Sequence, residues 1–283
     1  MLSILLALAA SVSWGVSDFL GGLTSRRLSV LSVLLVSQSV GLVMVVPAVL
    51  ASGQAPVDGS ARLSAMAGSV GGLIGIAALY RAIAVGVASI AAPISATGAA
   101  IPVAVGLLRG EPTSVWQEIG IALAIAGVVL ATWAADGSSE TSRAHRLTST
   151  GTGFALIAAA GFGSFFVLLH DASTYSVVWA TFVQRLTSVG ILLVATVVLR
   201  PSLAVGWRRT PRLLAIGALD QGANLLYGFA STVGLVSLAA VLASLFPIIT
   251  IVLARAILHE RMSRTQQTGV ACALAGVALI AGG

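Results

Sequence analysis

The sequence predicts an all-α membrane protein, ten transmembrane helices built as two inverted five-helix repeats, and three observations carry that prediction. Of the 283 residues, 58% are hydrophobic and only 8% charged, with a mean hydropathy of +1.04. A soluble domain carries about 25% charged residues, because its outer face needs them. Uncharged stretches of about 20 residues, the length that crosses a bilayer as a helix, recur down the whole chain. The second half also repeats short patterns of the first at a nearly constant offset.

The apolar runs cover residues 2–23, 28–51, 63–85, 87–108, 116–134, 151–170, 177–199, 212–231, 236–258 and 266–282. Turn and charge signals separate them, among them Arg26-Arg27, Arg109-Gly110-Glu111-Pro112, Asp136 to Thr150, Arg200 to Arg212 and His259 to Thr265. Strands are excluded, because the runs are long and lack the two-residue alternation of a membrane barrel. The first run carries Ala9-Ala10-Ser11, small residues like those of a cleavage site. No positive charge precedes it and Arg26-Arg27 follow it, so it is read as a retained helix. The loops after runs one, five, seven and nine gather most of the arginines, whereas the alternate loops hold chiefly Arg62 and Arg109. That bias puts the odd-numbered loops in the cytoplasm and both termini outside, as a multi-pass protein of the cell membrane.

Ser39-Val40-Gly41 recurs as Ser188-Val189-Gly190, Glu111 as Glu260, Gly120 as Gly269 and Gly127 as Gly276, each 149 positions on; Leu79-Tyr80 returns as Leu226-Tyr227 after 147. Two five-helix units follow, residues 1–134 and 151–283, joined by a polar linker at 135–150. Because five is odd, the second unit enters the membrane in the opposite sense, the arrangement of many secondary carriers. Two such bundles can exchange conformations and open a central site to either side in turn.

A net charge of +6 would in other settings point to nucleic acid, but the arginines sit in short turns and lysine is absent, which argues against it. The single cysteine, Cys272, excludes an intramolecular disulfide and a thiolate-rich metal site. His145, His170 and His259 are scattered without ligand or triad spacing, so neither a metal nor a catalytic constellation is expected. No nucleotide-binding loop occurs, and no cofactor is expected.

Several patterns resemble the drug/metabolite transporter superfamily, and within it the ten-helix EamA family. They are Trp14-Gly15 with a weaker copy at Phe162-Gly163, Ser244-Leu245-Phe246-Pro247, Leu258-His259-Glu260-Arg261 followed by Gln267 and Gly269, and their first-half counterpart Arg109-Gly110-Glu111-Pro112 followed by Gln117 and Gly120. Pro247 stands thirteen residues before Glu260 as the family pattern has it, whereas Gly98 takes that place in the first half, with prolines displaced to Pro93 and Pro102. The resemblance implies two five-helix repeats and export or exchange of small metabolites or drugs. It also implies cytoplasmic termini, against the arginine bias, which is followed here.

Charged side chains inside apolar runs are functional candidates, since each costs about 2.5–3.5 kcal/mol in hydrocarbon even on lenient scales. Asp220 stands mid-run with Asn224, Tyr227 and Ser231 at helical spacing, a polar stripe that either lines a cavity or holds helices together. Arg185 lies near the middle of the seventh run, where a salt bridge to Asp220 would let both charges survive in lipid. Asp18 shares a face with Ser11 and Trp14; it either takes up a proton in a coupled carrier or pairs with Arg26 or Arg27. Trp14, Tyr80 and Tyr227 offer rings for stacking or interfacial anchoring. Pro93, Pro102 and Pro247 interrupt the fourth and ninth runs and are candidate hinges, with Ser95, Thr97 and Ser244 placed to satisfy freed carbonyls or touch substrate. Glu111 and Glu260 are read as caps.

The expected function is secondary transport of a small-molecule substrate, by efflux or exchange, with protons as a possible coupling ion and the lipid bilayer as surroundings. A non-transporting structural or sensory membrane protein is the alternative, and an intramembrane enzyme the weaker one.

Overall fold

The computed structural model describes the chain except residues 55, 57, 85–94, 134–141, 201–205, 207–208, 259–263 and 283. The described residues form helices and connecting turns only: α1 Leu2–Ser25, α2 Val30–Ser52, α3 Gly59–Ala84, a 3-10 turn Thr97–Ala99, α4 Ala100–Leu108, α5 Val115–Trp133, α6 Ser142–Ser173, α7 Val177–Leu199, α8 Thr210–Thr232, α9 Val236–Ala243, α10 Phe246–Leu258 and α11 Arg264–Gly282. Among them α1, α2, Gly59–Arg81 of α3, Gly153–Ser173 of α6, and α7 are long and apolar enough to cross a membrane. The outer faces of these helices show apolar side chains to their surroundings, with Leu50 78% and Val197 74% exposed, which only a lipid environment makes favourable.

The ten runs are not ten uninterrupted helices. Pro247 has no N–H to give to the Ala243 carbonyl and its ring crowds that turn, so the ninth run breaks at Ser244-Leu245 into α9 and α10, with Pro247 in the first turn of α10. In the fourth run, Pro102 likewise falls in the first turn of α4, directly after the 3-10 turn. Pro93 lies outside the described residues. The expected linker 135–150 is helical from Ser142 onward, because nothing between Arg143 and Thr150 breaks a helix, and α6 therefore starts nine residues before its apolar run.

Small residues set the packing. Gly127 of α5 lies against Ala273 and Gly269 of α11, and Gly276 of α11 against Ala124 and Gly120 of α5, so the two helices run antiparallel with backbones in close approach. Gly15 of α1 faces Phe246 and Ile249 of α10 while Gly163 of α6 faces Gly98 and Ile101, the same contact at positions 148 apart. α1 pairs with α8, Ser3 Oγ donating to Ala230 O at 2.7 Å and Ser17 Oγ to Ile216 O at 3.1 Å. α3 pairs with α6, where Gly68 meets Leu168 and Gly75 meets Phe162. Asp58 starts α3 by accepting the Ala61 N–H at 3.0 Å, and this bond, with that of the Ser60 hydroxyl, holds its carboxyl below the usual carboxylate range.

Candidate functional site

At mid-depth the bundle holds a group of charged and amide side chains that lipid would not tolerate unpaired. Arg185, only 2% exposed, donates through Nη1 to Asp220 Oδ2 at 2.8 Å and to Gln38 Oε1, and through Nε to Gln221 Oε1 at 2.6 Å. Gln38 Nε2 in turn donates to Asp220 Oδ2 at 3.2 Å. The charge pair is thus solvated by two amides drawn from α2 and α8, which stand in for the water both ions gave up. Gly41 of α2 makes room for this: a Cβ there would lie 3.0 Å from Arg185 Nε, tighter than an ordinary contact. On the α3 side, Ser69 Oγ lies 2.8 Å from Gln184 O and 2.7 Å from Ser188 Oγ.

This cluster forms one wall of a cavity of about 50 Å³, whose lining also includes Trp14, Asp18, Asn224, Phe162, Phe165 and Phe246. Asp18 is buried and enters no ion pair or hydrogen bond among the described residues; Arg26 and Arg27, the alternative partners, lie at the end of α1. Arg185 Nη2, Gln184 Oε1 and Gln221 Nε2 are likewise buried without a partner. A cavity with two carboxylates, one guanidinium already engaged by one of them, and aromatic walls has hydrogen-bonding capacity to spare.

The other sequence-selected residues are not among those that line the cavity. Tyr227 is fully buried and donates its hydroxyl to Phe166 O at 2.8 Å, its ring 4.8 Å from that of Phe166 and 5.9 Å from that of Trp14. Tyr80 packs between α1 and α8 in a cluster with Val33, Leu34 and Ile216, its hydroxyl end against Gly21. Ser244 Oγ donates to Val241 O at 2.8 Å, within its own helix end. Ser95 is buried just before the 3-10 turn that Thr97 opens. Sequence reasoning passed over Gln38, Gln221 and the phenylalanines. A glutamine between serines in the second apolar run is a readable signal; a phenylalanine in such a run is not.

The end of the bundle carrying the even-numbered loops is tied across. Arg109 forms a two-pronged pair with Asp171, 2.6 and 3.0 Å, which raises the proton affinity of the guanidinium further. Two residues on, the Glu111 carboxylate accepts the N–H groups of Val236 at 2.5 Å and Ser237 at 3.1 Å, capping α9. Gly110, at φ +78°, lets the chain turn sharply enough for its two neighbours to reach different helices. Ser176 Oγ donates to Gln54 Oε1 at 2.6 Å and Trp179 Nε1 to Gln54 O at 3.1 Å, joining the second and sixth loops.

The profile of the EamA-like transporter family matches residues 1–133 and, a second time, residues 149–282. The chain belongs to this family. EamA-like proteins are membrane transporters and not enzymes, and the helices long enough to span place this chain in a membrane accordingly. Among solved structures, one described only as a crystal structure of a protein superposes with a TM-score of 0.78 over 98% of this chain and 95% of its own, at 16% identity, which shows a shared fold. No curated protein matches the chain significantly.

Three substitutions separate structural from free carboxylates. Asp220→Ala leaves Arg185 charged and buried and is expected to cost about 3–5 kcal/mol, abolishing a cooperative unfolding transition in detergent or lowering its midpoint by many degrees. Glu111→Ala removes the cap of α9 and is expected to cost about 1–2 kcal/mol. Asp18→Asn, with no partner to lose, should leave the midpoint close to wild type in the same measurement.

Proposed function

We propose that this EamA-like protein is a secondary carrier of small metabolites or drugs in the cell membrane, an exporter or exchanger that works by alternating access around the cavity between its two repeats. The observation that carries the reading is the cavity itself: a buried, partly unpartnered set of polar groups under aromatic walls, at the depth where carriers place their substrate. At about 50 Å³ it admits a few waters, whereas small-molecule sites run to about 300–1,000 Å³. Substrate entry then requires the helices to part, as alternating access supposes.

The repeat supports the motion. The units 1–134 and 151–283 exchange like contacts, and the equivalent helices α5 and α11 lie antiparallel, as inverted repeats require. The bonds of Arg109, Glu111 and Gln54 hold the even-loop end together in this conformation, so that end has to release them for a substrate to pass; the arginine bias puts the opposite, odd-loop end in the cytoplasm. Asp220 holds Arg185 in place. Asp18, uncommitted and facing the same cavity, is the group left to engage a substrate or a coupling proton, and Trp14 and Asn224 are the side chains beside it. Pro247 and Pro102, each at the start of a helix half, supply the hinges.

The test is thermal unfolding of the detergent-purified protein against a panel of amino acids, nucleosides, purine bases and cationic drugs. A ligand that binds only the folded state raises the midpoint by an amount that saturates. The expected outcome is such a shift for one class of compound, lost in Asp18→Asn and in Trp14→Ala although both variants fold. An absence of any shift across the panel, or a shift that both variants retain, would count against the cavity as the substrate site.

A further inference from the structure

Away from the central cavity, four guanidinium groups gather at one end of the bundle. Arg26 and Arg27 follow α1, Arg209 stands at the N-cap position of α8 without a side-chain capping bond and Arg212 sits in the first turn, and all four line a concavity of about 990 Å³ together with Leu23, Thr24, Gly206 and Pro211. None of the four takes part in an ion pair among the described residues. The acids are committed elsewhere: Asp58 caps α3, Glu111 caps α9, Glu118 accepts from Thr113, Asp171 holds Arg109, Asp220 holds Arg185, and Asp18 faces the central cavity. Asp136, Glu140 and Glu260 lie outside the described residues.

The placement of two of these arginines runs against the electrostatics of their own helix. Free N–H groups and the positive end of the macrodipole already concentrate at the start of α8, where an acidic residue is the stabilising choice. Its first turn holds no acidic residue and instead brings Arg209 and Arg212. Convergent guanidiniums, free backbone donors and a positive helix end suit an anion with several oxygens, and a guanidinium fork matches phosphate in particular. Leu23 and Pro211 give the concavity an apolar side at the depth where membrane helices end.

We propose that this concavity is a binding site for a phosphate group, borne either by an anionic phospholipid headgroup or by a soluble phosphate, and that it is separate from the transport cavity. The two share no lining residue. Occupancy offsets part of the repulsion among four like charges between the end of α1 and the start of α8 and so stabilises that end of the bundle.

The full-length protein in detergent tests this by its unfolding midpoint during titration with phosphatidylglycerol, phosphatidylcholine, or sodium phosphate set against sodium chloride of equal ionic strength. A saturable rise with phosphatidylglycerol alone assigns the site to a lipid headgroup; a saturable rise with sodium phosphate assigns it to soluble phosphate. In either case Arg209→Gln/Arg212→Gln is expected to weaken half-saturation by about tenfold or more, as removal of two cations from an anion site does. Arg26→Gln/Arg27→Gln, on the other helix, should do the same and serves if the first pair fails to fold. Equal responses to the two lipids together with no effect of phosphate beyond chloride would overturn the proposal, as would a response unchanged in both double variants.

Discussion

A charge pair inside a membrane protein has to be solvated by the protein or it does not exist, and the Arg185–Asp220 pair organises this bundle around that requirement. An isolated charge at mid-depth costs several kcal/mol, so Asp220 on α8 and Arg185 on α7 fix those helices side by side, and the second shell recruits α2 through Gln38. Gly41 gives the guanidinium room, since a Cβ there would stand 3.0 Å from Arg185 Nε. Asp18 on α1 and Ser69 on α3 complete the polar zone, so one ion pair brings five helices from both halves of the chain to one point. The aromatic layer of Trp14, Phe165, Phe166 and Tyr227 packs against this zone with ring centroids 4.8–6.4 Å apart. It keeps the cavity narrow and gives it an apolar wall.

The described residues at the two ends of the bundle carry different groups. At the even-loop end, Arg109, Glu111 and Gln54 reach across sequence separations of 62 to 126 residues to bind other helices. At the other end, four arginines line a concavity whose described lining includes no carboxylate.

Much of the fold was legible because lipid makes sequence unusually explicit: spans must be apolar, charges must have reasons, and prolines must fall where a carbonyl can be left free. The apolar runs gave the helices, and Pro247 marked the break between α9 and α10 that the structure shows at Ser244-Leu245. Arg185 and Asp220 stood out because each is a charge in hydrocarbon, and they lie 2.8 Å apart. Gln38 and Gln221 escaped notice because an amide is cheaper to bury and reads as a tolerated polar residue. The equivalence of Tyr80 and Tyr227 in the repeat suggests a shared role, yet one packs in an apolar cluster behind α1 and the other donates its hydroxyl to Phe166 O. Glu111 reads as a cap without a target: its helix begins 125 residues further on, a distance no local pattern encodes.

Access to the cavity is the property on which the transport reading stands. Asn224 lines it, and Cys272 is the only cysteine in the chain, so Asn224→Cys with Cys272→Ser provides one thiol at the site. The measurement is modification of that thiol by a membrane-impermeant reagent added to either face of sealed vesicles. Alternating access predicts labelling from both faces, each slowed by a bound ligand. Labelling from neither face, or from one face only under every condition, would contradict it.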